Sequence, residues 1–482
     1  MRIPLTHHTF RPNPVPCGRT RREFLWQAGA GFAGLGLLDL LLRDGFFAAA
    51  QAASPVAPSP LAPRAPHFPT KAEHVIFLFM NGAPSQVDTF DPKPELAKHH
   101  GQPYAGKIKA VGSNGRPVGY LMQSPFEFRE HGRSGLPISS LFPHTSKFAD
   151  DLCVLRSLYT DTAAHASGCL QMNTGSIFIG RPSLGAWLSY GLGTMNAALP
   201  SFVVMTDPRG GPIGSASNWT AGYMPAAYQG TLFRSKGNPL LDLATPEGVS
   251  PRAQRRSLDL LAELNEQHRR ERPQESELAY QMQTSAAGVV DLKDEPAATR
   301  ELYGLDHPLT ADFGSKCLVA RRLIEKGVRF VQLYSGGGHL EDTWDGHSDC
   351  IKNHTLHAGE TDRPIAALIA DLKRTGLWDE TLLVWGGEFG RTSDSQGSLG
   401  RDHNPKGFTI WLAGGGVRGG VHYGSTCEFG YKAVENKVHG NDLHATILHL
   451  LGMNHEKLTY RHNGRDYRLT DVGGNVIREL LA

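Results

Sequence analysis

The sequence predicts an α/β fold with a mainly parallel sheet between layers of helices, and two observations lead there. Six short apolar runs recur along the chain: "HVIFLFM" (74–80), "LCVLRSL" (152–158), "SFVVM" (201–205), "VRFVQLY" (328–334), "TLLVWG" (381–386) and "FTIWLAG" (408–414). Continuous apolar runs of this length have the pattern of strands buried on both faces. Helical patterns lie between several of them. "GSKCLVARRLIEKG" precedes the fourth run, "RPIAALIADLKRTG" precedes the fifth, and "NDLHATILHLLG" closes the chain. Strands interleaved with helices favour a parallel sheet covered on both sides.

Composition agrees with a soluble globular chain. Of 482 residues, 40% are apolar and 20% charged, a balance unlike that of disordered or multi-span proteins. The net charge of +2 supplies no broad basic field, so no nucleic-acid partner is expected. Histidine is abundant, 22 residues against 6 cysteines, which leans any metal chemistry toward nitrogen and oxygen ligands. The cysteines form no CxxC pair, and no disulfide pairing follows from their spacing.

The N-terminus carries an address. "TRREFLWQAGAGFAGLGLLDLLL" sets Arg21 and Arg22 before a short Ala/Gly/Leu segment, and "AAAQAAS" offers small-residue cleavage sites near Ala50 to Ala53. Residues 1–53 therefore look like a twin-arginine signal peptide, with the twin-arginine export machinery as partner. The alternative, a membrane anchor, is disfavoured because the apolar run Ala28–Leu42 is short and contains Asp39. No stable membrane span is expected in the mature chain. Residues 54–70, Pro/Ala-rich, read as an extended linker. The folded domain is then 71–482, with an insertion near 207–300 that includes "PRAQRRSLDLLAELNEQHRRERPQESELAYQMQ". Leu258, Leu261 and Leu264 give this stretch helical spacing, so it reads as an amphipathic cover with a solvated Arg-rich face.

In open α/β sheets, ligands bind beyond the carboxyl ends of the strands. Polar clusters stand at five such places. Asn81, Ser85, Asp88 and Asp91 follow the first run, and Asp161 and His165 follow the second. His339, Asp342, Asp345, His347 and Asp349 follow the fourth, Glu388 and Arg391 the fifth, while Arg401, Asp402 and His403 precede the sixth. Each alone has a bland reading: Asp-Pro and Asn-Gly make turns, a lone histidine is usually structural, and Arg391 is a natural partner for Glu388. Together they would suit one or two divalent cations.

The segments "FMNGAPSQVDTFDPKP", "HASGCLQMNTG", "CLVARRLIEKGVRFVQLYSGG", "TWDGH", "LWDETLLVWGGEFGRT" and "GRDHNP" resemble an exported bacterial branch, the domain-of-unknown-function family 1501. More distantly the chain resembles the alkaline phosphatase/sulfatase superfamily. The resemblance covers most of 71–482 and implies an alkaline-phosphatase-like three-layer core. It also implies a periplasmic or cell-surface location, a divalent metal (zinc, calcium, magnesium or manganese), and hydrolysis of a phosphate or sulfate ester. The substrate would be an anionic ester, including one on an extracellular polysaccharide.

Carried over position by position, the resemblance places Asn81 where relatives hold a metal-binding Asp. His165 stands at the nucleophile's place upstream of Thr174–Gly175, and Glu388 and Phe389 stand where relatives have Asp-His. His403 matches the late ligand, and Asp345 with His347 matches the earlier ligand pair. The expected metal set is thus Asn81, Asp345, His347, Glu388, Asp402 and His403, with His165 and Arg391 catalytic. Three readings of His165 stay open: nitrogen nucleophile, general base for a polarised water, or ligand or hydrogen-bonding residue. Cys169 lies four residues too late for formylglycine formation. A non-catalytic exported binding protein that keeps the fold is the alternative function. A dinucleotide-dependent oxidoreductase is not supported, since "SGGGHLEDTWDG" lacks the required spacing.

Overall fold

The structure, a computed structural model, describes residues 59–104, 119–234, 250, 252–253, 255–257 and 288–482. They belong to one compact unit, Ser59–Ala482. The leader, the start of the linker and most of the charged stretch at 251–283 lie outside the described residues.

The six apolar runs all form strands of one sheet. In chain order the strands used below are β1 (His74–Met80), β2 (Leu152–Tyr159), β3 (Phe202–Met205), β4 (Thr231–Phe233) and β5 (Phe330–Ser335). They continue with β6 (Thr381–Gly386), β7 (Gly390–Gln396), β8 (Gly400–Asn404), β9 (Phe408–Gly414), β10 (Val421–Tyr423) and β11 (Val438–His439). The main sheet runs β10-β2-β9-β6-β1-β5-β3-β4, with β11 paired to β2. β1 is parallel to both β5 and β6, and β3 is parallel to β4 and β5. Only β9 reverses, lying antiparallel between β6 and β2. The ends of β1, β2, β5 and β6 therefore share one rim with the beginning of β9.

Alternation along β1 explains the continuous hydrophobicity. Val75, Phe77 and Phe79 enter one core, with Cys169 and Met172 of α1 (His165–Thr174), Trp187 of α2 (Leu184–Leu192) and Ile447 of the C-terminal helix Gly440–Leu450. Ile76, Leu78 and Met80 enter the opposite core, against Leu318 of α3 (Ala311–Glu325) and Ile365 of α4 (Cys350–Thr375). Each such side chain stabilises by roughly 1.5–3 kcal/mol when fully buried, so the two cores dominate the folding energy. The five described cysteines are free and buried within or beside these layers. Among the described residues, no helix is long and apolar enough to cross a membrane.

Residues 59–70 depart from the linker reading. They are strapped onto the body: Leu61 is buried, Arg64 N–H donates to Leu192 O at 3.0 Å and His67 N–H donates to Gly452 O at 2.9 Å. Proline here removes donors but leaves carbonyls to accept, as Pro60 O does from Tyr228 Oη at 3.2 Å.

Behind the rim, the segment after β1 is locked to β8 by a buried ion pair. Arg401 Nε lies 2.7 Å from Asp88 Oδ2, and both side chains are wholly buried. Ser85 Oγ donates to the same oxygen at 2.6 Å, and Arg401 also donates to Met122 O and Thr392 O, each at 3.0 Å. Asp88→Ala would strand the guanidinium without its counter-charge. A loss of about 3–5 kcal/mol is expected, measured as a lower urea midpoint.

Two other buried histidines set an acid limit. Burial holds His354 and His444 down at about 3 and about 4, from an ordinary 6.5. The unfolded chain binds protons at both residues below about pH 6.5 while the folded chain does not, so stability falls as pH drops below that value. The urea midpoint should decline from about pH 7 to about pH 5. His444→Gln, which can still donate to Met172 O, should flatten the decline; an unchanged slope would remove His444 from the account.

Candidate metal centre

Each segment reaches the rim for a local reason. After β1 the chain turns at Gly82, whose φ of +100° and contacts leave no room for a Cβ, which would sit 2.7 Å from Trp344 N. After β5, Trp344 is driven fully into the core beneath the rim, and its N–H donates to Asn81 O at 2.9 Å. That anchor fixes the next residue, Asp345, and the tight turn that follows brings His347 back over it. After β2 the chain enters α1, placing His165 in its first turn. Between β6 and β9, β7 and β8 form a separate hairpin whose register sets Arg391 opposite His403. Gly400 is obligatory in this hairpin, because a Cβ there would strike His347 O at 1.5 Å.

The side chains meet at one carboxylate oxygen. Asp345 Oδ1 lies 2.9 Å from His347 Nε2, 3.2 Å from His165 Nε2, 3.3 Å from His403 Nε2 and 2.6 Å from Arg391 Nη2. Ligand atoms of His165, Asp345, His347 and His403 all fall within 4.8 Å of one another. The far nitrogen of each ring is tethered. His165 Nδ1 reaches Glu388 Oε1 at 2.6 Å, His403 Nδ1 reaches Ala163 O at 2.7 Å, and His347 Nδ1 reaches Gln396 Oε1. A carbonyl only accepts, so His403 carries its proton on Nδ1. The amide oxygen of Gln396 assigns the same tautomer to His347, and His165 donates from Nδ1 to the Glu388 carboxylate. The Nε2 atoms of all three rings face inward. Those of His347 and His403 confront each other at 2.8 Å, and His165 Nε2 is buried without a hydrogen bond despite its closeness to Asp345.

The electrostatics favour a cation at this point. Burial would raise the Asp345 carboxyl, but Arg391 and the three imidazoles hold it well below the ordinary carboxylate range. Burial lowers the proton affinity of His165, yet Asp345 and Glu388 outweigh it and the net shift is upward. Burial, partly opposed by Asp345, pulls His403 down to about 4 and keeps it a neutral donor ring. Such a set of residues suits a divalent metal.

A family model described as "Protein of unknown function (DUF1501)" matches residues 72–481. The chain belongs to the DUF1501 family. No curated protein matches it. Among solved structures, the alkaline phosphatase from the Antarctic bacterium TAB5 aligns at 12% identity over 80% of this chain and 99% of that one, with a TM-score of 0.35. A sulfatase from Pseudoalteromonas sp. aligns at 12% identity over 80% of this chain and 68% of its own, TM-score 0.35. The lipoteichoic acid synthase LtaP from Listeria monocytogenes aligns at 10% identity over 82% and 76%, TM-score 0.34. These likenesses are distant.

Within this DUF1501 protein, the eight residues singled out from sequence separate into three groups. His165, Asp345, His347 and His403 converge, each offering one atom that could hold a metal ion. Glu388 and Arg391 touch the cluster from behind and are wholly buried. Glu388 accepts from Gly82 N–H at 3.0 Å as well as from His165, so it orients a ligand instead of joining the four. Arg391 also donates to Ala83 O at 2.9 Å and to Gly82 O, which makes it a brace for Asp345 and the turn. Asn81 and Asp402 are outside the converging set. The Asn81 amide donates to Gly336 O at 3.2 Å and accepts from Ile213 N–H at 3.3 Å, and Asp402 Oδ1 accepts from its neighbour His403 N–H at 2.8 Å. Asp349, also at a strand end, caps α4 by accepting from Lys352 N–H at 2.9 Å.

Sequence reasoning missed Gln396 and the Ala163 carbonyl. The only available signal for Gln396 was the "GRTSDSQGSLGRDHN" stretch, two polar arms around Gly397–Gly400. The tethering predicts that metal-free protein at mildly alkaline pH holds His347 and His403 as Nδ1–H tautomers. Long-range nitrogen-15 spectra of histidine-labelled protein should show this; Nε2-protonated rings would contradict it.

Proposed function

We propose that this DUF1501 protein is an exported, metal-dependent hydrolase of phosphate or sulfate esters. The observation that carries the proposal is the convergence of three tethered imidazoles and Asp345 on the rim formed by the strand ends. A bound divalent ion would supply Lewis-acid polarisation of an ester oxygen and would lower the pKa of a water.

The protein's own residues prepare that place. Arg391 keeps Asp345 ionised and aimed, while Glu388, Gln396 and Ala163 O fix the three rings. His347 and His403 are partly exposed whereas Arg391 and Glu388 are sealed, so substrate approaches from the side of the two hairpin-facing imidazoles. Arg391 consequently acts through Asp345 and not on the ester itself. With His165 directed into the ligand cluster, the attacking group in this scheme is water. The leader motif around Arg21–Arg22 supports twin-arginine export to the periplasm or cell surface, where an anionic ester on a polysaccharide is a fitting substrate.

The test is metal analysis of the mature protein together with a panel of aryl phosphates, phosphodiesters and sulfates. Turnover should disappear on chelation and return with metal, and Asp345→Ala should lower kcat/KM by about a thousandfold or more. Turnover indifferent to chelation and to Asp345→Ala would overturn the proposal. Full metal occupancy with no turnover across the panel would favour the exported binding protein.

A further inference from the structure

We propose that the cluster is a single-ion centre for a late first-row transition metal of the zinc class, in which His165 is the third nitrogen ligand. This rests on the metal-centre part of the preceding reading, and adds the class of ion, the ligand count and the source of selectivity.

Three features carry it. First, every Nδ1 is engaged with an accepting oxygen, from Glu388, Gln396 or Ala163. The inward nitrogens of His347 and His403 lie 2.8 Å apart, and the Nε2 atoms of all three rings lie within 3.3 Å of Asp345 Oδ1. Three ring nitrogens and a carboxylate oxygen gathered within 4.8 Å of one another offer a cation a ready set of ligand atoms. Second, the donor set is three imidazole nitrogens and one carboxylate. Calcium and magnesium take mostly oxygen ligands, whereas imidazole suits zinc, copper, iron and nickel. Third, the neighbouring polar groups are already committed. Glu388 serves Gly82 N–H and His165, the Asn81 amide serves Gly336 and Ile213, and the Phe389 ring fills the space 4.9 Å from both His165 and His403. Among the described residues, that leaves donors for one ion.

The outer oxygens are part of the device. A carboxylate behind an imidazole orients the ring and raises its basicity, and removing such a partner costs about 10–100-fold in metal affinity. Glu388 is the only charged tether, so it sets the basicity of His165 in particular.

Metal-stripped protein titrated with cobalt(II) and followed by visible absorption tests this without turnover. One cobalt per chain should bind with ligand-field bands, be displaced by one equivalent of zinc, and be unmoved by excess magnesium or calcium. His165→Ala should alter the bands and weaken binding; Glu388→Gln should weaken it by about 10–100-fold. If circular dichroism shows His165→Ala unfolded, the Glu388→Gln titration decides. Cobalt spectra and affinity unchanged in the folded variants, two ions per chain, or preference for magnesium or calcium would overturn the proposal. Absence of any binding would overturn it together with the hydrolase reading. Tight binding without ester turnover would remove only the hydrolase reading.

Discussion

The rim is organised around a single oxygen atom. Asp345 Oδ1 is the common neighbour of three imidazoles and a guanidinium that belong to three stretches of chain: α1, the turn after β5 and the β7–β8 hairpin. A carboxylate this deeply desolvated is costly unless paired, and Arg391 provides the pairing from a position that solvent never reaches. Arg391 in turn donates to two carbonyls, Gly82 O and Ala83 O, of the turn that follows β1 at Gly82. The placement of a glycine, the ionisation of an aspartate and the convergence of three rings are therefore one linked arrangement. Trp344 completes it by converting hydrophobic burial into the position of Asp345.

Much of the sheet was legible because strands covered on both faces leave unbroken apolar runs, and all six such runs became strands within a residue or two of their expected bounds. The first half of α4 was hidden by Gly359 and Pro364, which lie inside the helix although both normally weaken one. The β7–β8 hairpin was hidden for the opposite reason. Its residues Gly390 to Asp394 are buried yet mostly polar, so no alternation of apolar side chains betrays a strand. Buried polar strands are what a site wall requires.

The same physics divides the site into what could and could not be foreseen. His165, Asp345 and His347 follow strand ends, and His403 precedes the one reversed strand, so rim position alone marked them. A backbone carbonyl such as Ala163 O leaves no trace in sequence. Asn81 and Asp402 have the right chemistry in the right neighbourhood, but their oxygens are engaged by local N–H groups, a competition that only geometry reveals. Glu388 stands at an expected ligand position and supports a ligand from behind. The strand ends thus located the rim, while the division of labour on it is set by the local hydrogen bonds of this chain.

The reversal of β9 has a further consequence. Because this strand begins where its neighbours end, the chain can lay a hairpin across the rim without crossing the sheet. β7 and β8 pair with each other and form no ladder with the main sheet. The hairpin carries His403 and the Gln396 tether, but contributes little to either hydrophobic layer. Its hold on the body is polar instead, through Arg401 on Asp88 and Arg391 on the turn after β1. Two of the three imidazole settings, His403 itself and the Gln396 tether of His347, therefore lie on a segment held by buried charges and not by the hydrophobic layers.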